Sequence, residues 1–193
     1  MNQLNFTRGA NGKPVVSQEL EIALSDADGL SGECFFGYPL IATPDGRYFL
    51  DATVVTSDKG IILFDLVEGT DVGDYGARQD DLANKIEAKL KLHKDLVKGR
   101  SLIPPLQVVT FAPAVGDITR IAIDGYPIAN ANNLKDVVNG LSWDGSSEDL
   151  YRLTLSAIES LSSIRKSRLK REVHKPDSRG AKLKKLEDSI ATL

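Results

Sequence analysis

The chain has 193 residues, 41% apolar and 26% charged, which suits one globular domain with a hydrophobic core and a tail. That composition excludes a collagen-like, wholly disordered or disulfide-stapled protein; no apolar run nears the roughly 20 residues of a membrane span, and the N-terminal stretch lacks the apolar core of a secretory signal. The net charge of −3 hides an asymmetry: residues 164–185 hold ten basic residues against Glu172 and Asp177, hence +8, and the rest of the chain is −11. A basic stretch of this kind attracts phosphates and makes binding salt-dependent, and it also reads as an ordinary solvated segment. The single cysteine, Cys34, forms no internal disulfide and no multi-cysteine zinc site, and points to the reducing cytosol.

Residues 1–14 read as a polar arm. Val16, Leu20, Ala23 and Leu24 recur at helical spacing and predict a short helix over 16–26. A strand is expected over 33–42, a Pro-Asp-Gly turn after it, a second strand over 48–56, a turn at Ser57–Gly60 and a third strand over 61–67. The third is apolar almost throughout, as a central strand would be. A glycine-containing loop, 68–76, leads to a long helix over 78–98, with Leu82, Ile86, Leu90 and Leu96/Val97 inward and Gly99 as its C-cap. Then follow a strand over 106–111, a short extended piece over 119–123, a helix over 133–141 and a helix over 148–164. Residues 165–180 read as an exposed linker, and 181–191 as a last helix with Leu183, Leu186 and Ile190 on one narrow edge. The order predicts an α/β sandwich with a mixed sheet: a three-strand antiparallel meander, a crossover helix and a further strand.

Two carboxylates stand inside apolar strands, Asp51 in YFLDATVV and Asp65 in IILFDLV. A buried, unpaired carboxylate costs several kcal/mol, so each needs solvent, a cation or hydrogen-bond donors. Hairpin register decides whether they meet. A three-residue loop, Ser57-Asp58-Lys59, pairs Thr56 with Gly60 and brings Asp51 opposite Asp65 on one face; a two-residue loop puts Asp51 opposite Phe64 and separates them. Opposed carboxylates repel unless a divalent cation lies between them or one keeps its proton. Such a pair suits Mg²⁺, which takes oxygen ligands and can activate water for phosphodiester cleavage. Acceptance of backbone N–H groups at the sheet end is the structural alternative.

The stretches YPLIATPDGRYFLDATVV, GIILFDLVEG and YGARQDDL, with the element order, resemble the PD-(D/E)xK nuclease fold, and more specifically the nuclease-related domain that precedes helicase modules. The closing RGAKLKKLEDSIATL is similar to the link into a UvrD-like superfamily 1 helicase core of bacterial proteins. The resemblance implies a restriction-endonuclease-like mixed sheet over 1–164 and a basic linker and helix over 165–193 leading to a helicase core. It implies Asp51 and Asp65 as catalytic, metal-binding acids, Gln79 as a helical residue near the site and Glu19 as a further acid of the metal shell. The lysine of the (D/E)xK element falls at Val67, a departure; Arg78 or Lys85 would have to supply a migrated cation, and Glu68 follows on the other face of the strand. The favoured expectation is a nuclease-like domain without the lysine that binds or positions DNA for a helicase, with Arg165, Lys166, Arg168, Lys170 and Arg171 as nucleic-acid contacts. An active Mg²⁺-dependent nuclease and a structural domain with no nucleic-acid role are the alternatives. His93 and His174, the two histidines, have no visible companion for a zinc site or a triad, and GTDVG lacks the GK[ST] ending of a phosphate loop.

Overall fold

The computed structural model describes residues 4–9, 12–27, 29–38, 40–43 and 46–174, with side chains omitted at 40–43, 46–47 and 162–174. In chain order the elements are β1 (Leu4–Arg8), α1 (Pro14–Ser25), β2 (Gly32–Phe36), β3 (Leu40–Thr43), β4 (Gly46–Phe49), β5 (Ala52–Thr56), β6 (Gly60–Leu66), α2 (Tyr75–Leu90), β7 (Val97–Lys98), β8 (Ser101–Leu102), β9 (Leu106–Phe111), β10 (Ile128–Ala129), α3 (Leu134–Asn139) and α4 (Glu148–His174).

Alternation along the central strands sorts side chains onto two faces. Ile62, Phe64 and Leu66 of β6 join Cys34, Val54 and Val109 beneath α1 and α3, where Val16, Leu20, Leu24, Leu134 and Val138 close the layer. Ile61 and Leu63 join Phe35, Val55 and Val108 beneath α2 and α4, where Leu82, Ile86, Leu90, Ala157 and Ile158 pack. The result is an α/β sandwich of three layers around a mixed six-stranded sheet, order β1-β2-β5-β6-β9-β10. Strands β2, β5 and β6 are the expected antiparallel meander, and α2 carries the chain across to β9, which runs parallel to β6. Cys34 is fully buried beneath α1; burial first, then the nearby Glu21 carboxylate, push its thiol pKa up, so the thiol stays protonated.

The β5–β6 hairpin takes the three-residue loop. Thr56 pairs with Gly60, Lys59 N–H is held by Thr56 Oγ1 at 2.9 Å, and the ladder runs to Ala52 opposite Phe64. Gly60 is needed there for two reasons: its φ is +77°, and a Cβ would lie 2.6 Å from the Pro105 carbonyl. The next residues beyond the ladder are Asp51 and Asp65.

Several expectations need correction. The long strands over 33–42 and 48–56 each break in two. Gly37, at φ +61°, donates its N–H to Asp51 O at 2.9 Å; the β2–β5 ladder ends at Phe36 opposite Ala52, and the β3–β4 ladder starts at Leu40 opposite Phe49. The β3–β4 hairpin is a separate two-stranded ribbon. The polar arm contains β1, parallel to β2, with Leu4 buried; the alternation of Leu4 and Phe6 is its signal. Helix α2 starts earlier, because Asp74 Oδ1 caps Ala77 N–H at 3.0 Å, and ends at Leu90. Leu96 does reach the same core, but from a short 3₁₀ turn, and Gly99 turns the β7–β8 hairpin instead of capping the helix. The piece at 119–123 gives a 3₁₀ turn and an isolated bridge, Ile123 to Tyr126; the added strand is β10, parallel to β9. Helix α4 runs on into the expected linker as far as His174; the rest of that stretch, 175–180, lies outside the described residues. His93 follows α2, half-buried, with Nε2 3.5 Å from Ser160 Oγ on α4. The last helix, with Leu183, Leu186 and Ile190, lies outside the described residues. Among those described, no helix is long and apolar enough to cross a membrane.

Thr53, wholly buried on the α2 face, carries a hydroxyl with no hydrogen-bond partner among the described residues. Thr53→Val keeps the shape and removes that group, so it should stabilise the fold by about 1 kcal/mol, a rise of roughly 2–4 °C in thermal midpoint. A lower midpoint on thermal denaturation would contradict this reading of the strand.

Candidate functional site

The end of the β5–β6 ladder opens on a cleft of about 450 Å³, lined by Asp51 and Asp65, the loop after β6 and the exposed aromatic residues Tyr48 and Phe49 of β4. Both expected aspartates are there, as the three-residue loop requires, and each is met by a side-chain cation. Lys13 Nζ donates to Asp51 Oδ2 at 2.7 Å and to the main-chain oxygen of Leu66 at 2.6 Å. The same Asp51 oxygen accepts the Leu66 N–H at 2.9 Å, so the backbone-acceptor reading also holds for this residue. Asp65 Oδ2 accepts Arg78 Nε at 3.1 Å and Nη2 at 2.9 Å.

Local sequence explains why these cations arrive. Lys13 sits at the N-cap of α1, and Pro14 opens the helix where its missing N–H costs nothing. The Lys13 carbonyl is tied to Ser17 N and Oγ, while its side chain makes no capping bond and turns toward the sheet end. Arg78 lies in the first turn of α2. Its Nη1 also donates to Val72 O at 2.9 Å, which pins the glycine-containing loop against the cleft.

Behind Asp65 lies a buried polar chain. Gln79 Nε2 donates to Thr110 Oγ1 at 2.9 Å and to Pro127 O at 2.8 Å, and the Thr110 hydroxyl donates to Asp65 Oδ2 at 3.2 Å. Thr110 stands beside Asp65 across the parallel β6–β9 ladder and is wholly buried. With Gln79 occupying its acceptor side, the hydroxyl proton is aimed at the carboxylate. Gln79 therefore reaches the site as expected, but through Thr110.

Val67, at the lysine position, is buried with Tyr75, Ala112 and Ile128, and its N–H continues the ladder to Phe111 O. Of the two candidate migrated cations, Arg78 reaches Asp65. Lys85 reaches neither Asp51 nor Asp65: it pairs with Asp81 one turn back and lies 4.7 Å from the Tyr48 ring centroid. Glu68 lines the same cleft, because β6 ends at Leu66 and face alternation no longer applies. Glu19 is exposed on α1 beside a separate groove with Asp26, Pro113 and Lys135, apart from the two aspartates. The basic residues Arg165, Lys166, Arg168, Lys170 and Arg171 fall on the C-terminal part of α4, where only the backbone is described. Among the described residues no three His, Cys, Asp or Glu side chains gather closely enough to hold a metal ion.

The cleft holds four carboxylates, Asp51, Asp65, Glu68 and Asp71, against Lys13 and Arg78. Burial first, then Asp51, Asp65 and Asp81, raise the Tyr48 pKa above the usual phenol value, with Arg78 opposing. The oxygens of Asp51 and Leu66 have the hard-donor chemistry a Mg²⁺ ion prefers, but the Lys13 ammonium already bonds to both. Sequence reasoning had no view of Lys13 or Thr110. The Lys-Pro step before an amphipathic helix marks Lys13 as an N-cap, and nothing local marks Thr110. Compared with family models, with curated proteins and with solved structures, the chain matches none.

Thr110→Val removes one donor from Asp65 and leaves the Gln79 amide with its bond to Pro127 O but without its acceptor on Thr110. It should cost about 1–3 kcal/mol in urea denaturation, while Thr110→Ser, which keeps the hydroxyl, should retain most of the stability. A Thr110→Val protein as stable as the wild type would show that this chain does not support Asp65.

Proposed function

We propose that the chain is a restriction-endonuclease-like domain whose site has exchanged metal chemistry for side-chain cations, and that it binds and positions DNA for an attached helicase motor. The observation that carries the reading is Lys13 Nζ on Asp51 Oδ2 and Leu66 O, a fixed positive charge where the resemblance places a metal. The element order α1-β2-β5-β6-α2-β9 and the opposed aspartates support the nuclease-like part. Val67, closed into an apolar cluster, leaves the usual position without a cation to orient water or stabilise developing charge.

In this reading the cleft organises the fold and the basic run Arg165–Arg171 supplies the phosphate contacts. The backbone there is helical and carries the five basic residues within two turns, and each phosphate they neutralise releases a counterion. The motor as partner rests on the resemblance of residues 179–193, and the cytoplasmic placement on the lone buried thiol. One observation favours the enzyme alternative: Arg78, on Asp65, is a cation delivered from the crossover helix, as a migrated catalytic cation would be.

Fluorescence anisotropy on single- and double-stranded DNA over a salt series tests the proposal. Affinity should fall steeply with salt, and replacing the five basic residues by Gln should weaken binding about tenfold or more and flatten the salt slope. Incubation with Mg²⁺ or Mn²⁺ should give no more cleavage than Asp51→Ala gives. Salt-independent or absent binding would leave the structural alternative, and cleavage lost in Asp51→Ala would establish the nuclease.

A further inference from the structure

We infer that Lys13 is a tethered competitor for a divalent cation: its ammonium occupies the oxygens of Asp51 and Leu66, and removing it opens a Mg²⁺ or Mn²⁺ site in the cleft. This deepens the reading above, in which a side-chain cation replaces a metal, and concerns the cleft alone, not the DNA contacts on α4.

The donor set is the first ground. A carboxylate oxygen at 2.7 Å and a peptide oxygen at 2.6 Å converge on one positive centre. Both are hard, and both serve Mg²⁺ or Mn²⁺ as readily as an ammonium. Asp65 stands opposite Asp51. Its Oδ2 is held by Arg78 and Thr110, while its Oδ1 has no hydrogen-bond partner among the described residues. The same holds for Asp51 Oδ1. Each aspartate thus keeps one carboxylate oxygen without a hydrogen-bond partner among the described residues.

Charge is the second ground. With Lys13 in place the cleft carries four carboxylates against two cations; without it, four against Arg78 alone. The Lys13 and Asp51 side chains are 33% and 23% exposed, so water can complete the shell of an ion that keeps most of its own.

The tether is the third. Lys13 is fixed at the N-cap of α1 by Pro14 and by Ser17 on its carbonyl. Its ammonium therefore competes intramolecularly, at an effective concentration of the order of mM or higher. A free divalent ion has to displace it and also pay for partial dehydration.

Calorimetric Mn²⁺ titration of the full chain, as wild type, Lys13→Met and Lys13→Met with Asp51→Asn, tests the inference. Lys13→Met should bind one Mn²⁺ at least about tenfold more tightly than the wild type. Mn²⁺ should raise its thermal midpoint, and Asp51→Asn should abolish both effects. A readout that needs no variant is the acetylation rate of each wild-type lysine, followed by mass spectrometry. Mn²⁺ should speed the reaction at Lys13 and leave the other lysines unchanged. Equal Mn²⁺ affinity in the wild type and Lys13→Met, or a Lys13 rate indifferent to Mn²⁺, overturns the inference. Failure of the DNA titrations with these results intact would instead remove the nucleic-acid reading.

Discussion

Two carboxylates fixed opposite each other at the end of neighbouring strands repel by about 3 kcal/mol at a separation near 5 Å and an effective dielectric near 20. The Thr56–Gly60 register imposes this juxtaposition on Asp51 and Asp65, and much of the surrounding structure neutralises it. Lys13 brings the start of α1 to Asp51, and Arg78 brings the start of α2 to Asp65. The two helices cover opposite faces of the sheet, so one electrostatic requirement ties both outer layers to the same sheet end.

The neutralisation is asymmetric, and the asymmetry bears on function. Asp65 is held by two guanidinium N–H groups that converge on Oδ2 and by a buried hydroxyl that Gln79 orients; its side chain is 12% exposed. Asp51, whose side chain is 23% exposed, is held by one ammonium and one backbone N–H. Arg78 is thus built into the wall of the cleft, whereas Lys13 is a single point charge on a flexible stem. Such a site can keep its shape while its charge balance is altered at one residue.

Much of this was legible in the sequence, for identifiable reasons. The meander, the crossover and the aspartate pairing follow from hydrophobic period and loop length, both local properties; a single assumption about Ser57–Lys59 places Asp51 against Asp65. What escaped depends on distant partners. β1 is short, and its Asn5, Thr7 and Arg8 hide an alternation that gains meaning only beside β2. β10 has two residues and exists because β9 offers a parallel edge. The apolar stripe of α2 continues past its end because Leu96 fills the same core from a 3₁₀ turn, so periodicity identified the buried residue and mistook its backbone. Gln79 was placed near the site by resemblance, but its route through Thr110 needs the β6–β9 register. Lys13 lies 38 residues from Asp51, and no spacing rule joins an N-cap to a strand end.

The account turns on whether the ammonium of Lys13 and the carboxylate of Asp51 depend on each other in the folded protein. A double-mutant cycle in urea, with Lys13→Met, Asp51→Asn and the two together, measures that dependence directly. The account predicts a favourable coupling above about 0.5 kcal/mol, with the double variant more stable than the sum of the single losses implies. Additive effects would mean that the contact is incidental, and that the end of the sheet is held together without the cation on which this account depends.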